Sequence, residues 1–163
     1  MFWDFVMRCI FMKIWVKCYE NYESSYIMGV FTEEEMIKNK SETVKKITKP
    51  EIESLQEQID HVKEERKPLQ ESFLEMCNNP VDKDSLSYKE YKKNRRLVAH
   101  KIEWYSKQIR TLQCKIDNLQ KALNGDSFWI KVILSRENIN YRDYILNEEY
   151  IPTEDEWEFY ESN

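Results

Sequence analysis

The chain has 163 residues, a formal net charge of −5, a charged fraction of 34% and two glycines. So few glycines make a phosphate-cradling loop hard to build, and no G-x-S-x-G, P-loop or H-E-x-x-H pattern is present. The four cysteines have no C-x-x-C spacing and no histidine nearby in sequence, so a reduced, cytoplasmic chain without metal or cofactor is expected.

Residues 1–16 are apolar enough to raise the question of a membrane. The run is shorter than the about 20 residues a spanning helix needs. Asp4, Arg8 and Lys13 interrupt it, and no small-residue cleavage site follows. It is expected to form a buried strand with a flanking segment and no membrane span, with Met12 as an alternative start.

Residues 13–19 alternate. Ile14, Val16 and Cys18 share one face; Lys13, Trp15, Lys17 and Tyr19 share the other, as in a strand. Residues 20–25 are polar and turn-like, and residues 26–31 form a second strand, giving a hairpin. Gly29 inside it predicts a bulge or a close backbone approach.

Thr32 and Glu35 form a capping box that opens a helix over about 33–47. Thr48 and Glu51 form a second one, with Pro50 in the first turn, so the helix is expected to restart or bend there. Beyond it, Ile52, Leu55, Ile59, Val62, Arg66, Leu69, Phe73 and Met76 alternate spacings of three and four, a heptad seam. Pro68 is expected to kink this helix. Residues 77–85 read as a turn, with Asp84 or Ser85 capping the next helix.

The second long helix carries a matching seam: Tyr88, Tyr91, Arg95, Val98, Ile102, Tyr105, Ile109, Leu112, Ile116, Leu119 and Leu123. Asn124 and Gly125 then stop it. An antiparallel register with Met76 opposite Tyr88 places Phe73 on Tyr91, Arg66 on Val98 and Ile59 on Tyr105. Residues 50–76 carry eight acids and three bases, and residues 84–124 carry ten bases and four acids. The two arms are therefore expected to pair by charge along their flanks, each exposed pair contributing about 0.2–1 kcal/mol.

Residues 128–134 read as the strongest strand, joining the N-terminal hairpin as its third member. Residues 136–140 read as a turn, and 141–146 as a short strand or a helical turn. Residues 151–160 are acidic and aromatic, and Thr153 with Glu156 offers a cap for a short terminal helix. The expected fold class is α+β: a small antiparallel β-sheet with a long antiparallel coiled-coil hairpin inserted. Its divisions are 1–31, 32–124 and 125–163.

Two stretches invite partners. The basic run Lys89, Lys92, Lys93, Arg95, Arg96 and Lys101, interleaved with Tyr88 and Tyr91, suits nucleic acid. Alternatively, the tyrosines are seam residues and the lysines pair with the acidic arm. Arg66 and Arg95, charged at seam positions, fix the register at a cost in stability, or mark an opened seam that meets something else. In the C-terminal stretch, Glu154, Asp155, Glu156 and Glu158 present negative charge, with Trp157 and Tyr160 as interface anchors. Alternatively, these residues form an acidic tail docked on the sheet. His61 and His100 fall on outer helical positions and read as solvated residues.

The segment 13–37 combines a strand, a polar turn, Tyr26-Ile27-Met28-Gly29-Val30-Phe31 and the capped helix start Thr32-Glu33-Glu34-Glu35. It resembles the opening unit of small phage and bacterial accessory proteins, a class that includes anti-defence inhibitors such as anti-CRISPR proteins. The resemblance implies a protein that binds and blocks a host protein of the immune-nuclease type; with no convergent catalytic groups in the sequence, a non-enzymatic, cytoplasmic monomer or homodimer is expected. A nucleic-acid binder using the second helix and a self-associating structural coiled coil are the other two expectations.

Overall fold

A computed structural model of the chain describes residues 12–146. The elements in order are β1 (Met12–Glu20), β2 (Ser25–Phe31), α1 (Glu33–Asn78), α2 (Tyr88–Leu123), α3 (Ser127–Arg136) and β3 (Ile139–Leu146). The expected α+β architecture is present. A three-stranded antiparallel sheet is ordered β2-β1-β3, and two long helices packed against each other lie in sequence between its second and third strands. The expected N-terminal segment 1–11 and the acidic stretch around Glu154, Asp155, Glu156, Trp157, Glu158 and Tyr160 lie outside the described residues.

The chain divides into two compact units. One holds the sheet, with residues up to Glu42 and from Lys131 onward; the other is helical, Thr43–Ile130. In the sheet unit, Val16 and Cys18 are buried on the central strand, as are Met36 on α1 and Ile133 and Leu134 on α3. Asn21 makes the hairpin turn: its Oδ1 accepts from the amides of Glu23 and Ser24 at 2.9 and 2.7 Å. The β1–β2 register shifts between Lys17 and Cys18, where Gly29 and Ile27 are the successive partners and Met28 is the extra residue. The expected bulge is therefore present, and at Gly29 a Cβ would stand 2.7 Å from the Phe31 ring, a side chain rather than a neighbouring backbone. On the other side of β1, Tyr141 of β3 donates from its hydroxyl to Asn39 Oδ1 of α1 at 2.8 Å.

The Thr32–Glu35 box forms reciprocally. The Thr32 amide donates to Glu35 Oε2 at 2.9 Å, and the Glu35 amide donates to Thr32 Oγ1 at 3.3 Å. Of the restart or bend expected at Thr48, the restart does not occur: α1 runs unbroken through Pro50 and Pro68. Thr48 is fully buried, and its hydroxyl donates back to the Val44 carbonyl at 2.8 Å. Within a continuous helix the amides that follow bond carbonyls one turn back, so the Thr48 oxygen has no free amide to cap.

Residues 128–134, expected as a strand, belong to α3. Gly125 adopts a left-handed φ of 92°. Its amide donates to the Ala122 carbonyl and the Asp126 amide to that of Lys121, the bond pair of a Schellman stop. Asp126 then caps the next helix, its Oδ1 accepting from the amides of Phe128 and Trp129 at 3.0 and 3.1 Å. A short apolar run is compatible with strand or helix, and here the cap immediately before it decides. The third strand is instead Ile139–Leu146. It begins after Asn138, whose φ of 58° ends α3, and it pairs antiparallel with the whole of β1.

In the helical unit the buried apolar residues are Val44, Leu55, Ile59 and Val62 on α1, with Ile116, Leu119 and Ala122 on α2. Toward the connection between the helices the seam thins. Arg66, Leu69, Phe73, Met76, Tyr88, Tyr91 and Val98 are only half-buried. The residue that precedes α2 is Ser87, with no side-chain capping bond; Asp84 and Ser85, the expected caps, lie in the connection. No helix among the described residues is long and apolar enough to cross a membrane.

Candidate functional site

The distal half of the hairpin is where the sequence places charge in a seam. Arg66 donates from Nη1 to Ser106 Oγ at 3.1 Å, and its Nε is buried without a partner. The Tyr91 hydroxyl donates to the Met76 carbonyl at 2.6 Å, and its ring lies 6.3 Å from that of Tyr88. Arg95 is exposed, with its guanidinium 5.6 Å from the centre of the Phe73 ring.

These contacts correct the expected register. Phe73 meets Arg95 rather than Tyr91, and Arg66 reaches Ser106 rather than Val98. Phe73–Arg95 and Met76–Tyr91 lie four and three residues from the pairing based on Met76 and Tyr88, an offset of about one helical turn, and the long Arg66 side chain spans a further turn to reach Ser106. A seam that repeats every three and four residues is nearly self-similar after a one-turn slip. The choice therefore falls to the length of the connection and to the polar bonds made across the seam.

The expected charge pairing between the arms is also corrected. Lys89, Lys92, Lys93, Arg96 and Lys101 are all exposed, and none has an acidic partner among the described residues. The contacts between charged groups on the two arms, Asp60–Lys63 and Glu103–Lys107, and that of His61 with Glu65, each run along a single helix. Phase explains this. Glu53, Glu57, Asp60, Glu64 and Glu71 each stand two residues before a seam position, about 200° around the helix from it. Lys89, Lys93 and Arg96 stand likewise before Tyr91, Arg95 and Val98. Each arm therefore turns its charge outward.

The result on α2 is a stripe. Lys89, Lys92, Lys93 and Arg96 follow the i, i+3, i+4, i+7 spacing of one helical face. Beside it runs an apolar edge that sequence reasoning missed. Leu97 and Trp104 are 51% and 55% exposed, seven residues apart, each one position before the seam. That off-seam heptad spacing was the available signal. The Trp104 ring meets Tyr105 edge-on at 4.9 Å, which orients it without covering it.

At Trp104 a groove of about 640 Å³ opens between the arms. Gln58, His61 and Val62 line it from α1, and Trp104, Lys107, Gln108, Thr111 and Leu112 from α2. Among the described residues no set of three or more His, Cys, Asp or Glu converges to hold a metal ion. The site offers a row of solvated cations, an exposed indole and a largely apolar trench. The tyrosines that were candidates for base stacking are tied into the seam instead.

No family model, curated protein or solved structure matches the chain.

Proposed function

We propose that this chain is a non-enzymatic binding module that docks the basic stripe of α2 on an acidic surface of another protein. The observation that carries the reading is the exposed row Lys89, Lys92, Lys93 and Arg96, without acidic partners among the described residues and flanked by exposed Leu97 and Trp104. Four outward cations without acidic partners among the described residues steer an anionic surface toward α2. An exposed tryptophan beside them suits a protein interface, where tryptophan and arginine dominate the binding energy. The engagement of Tyr91 with Met76 counts against the base-stacking route to nucleic acid. The resemblance of segment 13–37 to phage and bacterial accessory proteins points to a host-cell cytoplasmic setting. There the partner is a host defence protein, and occupying its acidic surface blocks it.

The test places a photo-crosslinking amino acid at Leu97 in the full chain and exposes it to bacterial lysate. One predominant host protein is expected, lost when Lys92→Glu and Lys93→Glu are introduced together. Tight binding of labelled DNA or RNA, steeply salt-dependent and abolished by the same double variant, would replace this reading with a nucleic-acid one. Capture of a second copy of the chain alone would replace it with self-association.

A further inference from the structure

We infer that the groove at Trp104 is the seat for one amphipathic helix of the partner, apolar on the face it lays down and acidic along the edge that meets α2. The inference rests on the protein-binding reading above and names the kind of surface that reading requires.

The trench has the form of an unfilled bundle position. Val62 and Leu112 form part of its apolar lining, Trp104 projects from the α2 edge, and Gln58, Gln108 and Thr111 add neutral polar groups. Two helices running side by side present such a trench along their length, and an amphipathic helix fills it with residues spaced i, i+3, i+4 and i+7. Leu97, two turns before Trp104 on the same edge, extends the apolar track toward the basic stripe. Lys93 and Arg96 stand next to that track without acidic partners among the described residues, and Lys107 lies at the groove itself, in an exposed 3.7 Å pair with Glu103. A helix lying along Leu97 and Trp104 therefore passes a row of cations on its α2 side, and glutamate or aspartate on that edge complements them.

A second copy of the chain fits this seat poorly. Its α2 would bring a second basic helix against the first. The outer face of its α1, with Glu53, Glu57, Asp60, Glu64 and Glu71, has the right charge but no apolar residue among those positions to enter the trench. Among the described residues no helix of a second copy combines both properties, so the occupant is taken to be a foreign helix that does.

The test uses two labelled synthetic amphipathic peptides, both with leucine at i, i+3, i+4 and i+7, one flanked by glutamate and the other by lysine. Fluorescence anisotropy against the full chain is expected to show binding of the glutamate peptide alone. Trp104→Ala should weaken it about tenfold or more, and Thr111→Trp, which narrows the trench from an exposed position, should weaken it as well. Circular dichroism confirms that both variants are folded. If the glutamate peptide binds, is weakened by Lys92→Glu with Lys93→Glu, and ignores both groove substitutions, the groove inference fails while the basic-stripe reading stands. Equal binding of the two peptides, or binding of neither, also overturns it. Loss of host-protein capture in the crosslinking experiment is the separate failure of the broader reading.

Discussion

Arg66 of α1 and Ser106 of α2 join the arms through a 3.1 Å bond from Nη1 to Oγ, and the Ser106 hydroxyl donates in turn to the Ile102 carbonyl at 2.7 Å. The bond ties an arginine without an acidic partner among the described residues to the opposite helix. It leaves the arginine's Nε buried and unsatisfied. Such a group specifies register at a cost in stability.

Arg66→Leu removes that unsatisfied donor and the half-buried charge and places an apolar side chain at a seam position. Stability should rise on the order of 1 kcal/mol, since Ser106 retains its bond to Ile102. Urea unfolding of the two proteins with an unchanged slope measures it. A fall in stability would show that the Ser106 bond outweighs the buried charge.

Asp126 holds the first turn of α3 through two amide bonds. Asp126→Ala should destabilise the chain by about 1 kcal/mol, and Asp126→Asn by less, since Asn also caps. Thermal melts monitored by helical circular dichroism separate the two. Equal melting of wild type and Asp126→Ala would mean that the packing of Ile133 and Leu134 alone sets α3.

Cys18 is buried on the central strand, whereas Cys77 and Cys114 are exposed. Burial pushes the Cys18 thiol above its usual range, the neighbouring Glu20 carboxylate adds to this, and Arg142 partly offsets it. Because the thiolate is the reactive form, an alkylating reagent should modify Cys77 and Cys114 in the native protein well before Cys18. Peptide mapping by mass spectrometry follows each site. Early modification of Cys18 would show that the strand opens without global unfolding.

Thr32 holds the Glu35 carboxyl below its ordinary value of 4.5, first through its backbone amide and then through its hydroxyl. A carboxyl that titrates lower in the folded chain stabilises it fully above the unfolded value. The contribution is lost as pH falls through the folded one. The melting difference between wild type and Glu35→Gln should therefore be present at about pH 7 and shrink toward about pH 3. A difference that stays constant across that range would rule out the carboxylate as its source.

Local chemistry was legible in the sequence wherever a few neighbouring residues suffice. Thr32 with Glu35 and Asn124 with Gly125 marked helix ends that the structure reproduces, because capping bonds span only three to five residues. The outward phase of the α1 and α2 charges was also written there. Block counts of acids and bases pass over it, because they ignore which side of the helix each residue occupies. Trp104 and Leu97 stood one position off the seam, where a reading confined to seam residues does not look. Thr48 resembled a cap until its burial showed the hydroxyl turned back to Val44.

By itself, then, the sequence determined the two long amphipathic helices, their antiparallel return and the strand pair that precedes them. Heptad spacing, capping residues and strand alternation act over short separations. Only the tertiary structure decided which apolar segment becomes the third strand and at what offset the helices meet. Residues 139–146 won the place beside β1 through bonds to residues more than a hundred positions away, which no local pattern encodes. The repeating seam fits its partner almost equally well one turn apart, and there Tyr91 with Met76 and Arg66 with Ser106 mark the register adopted.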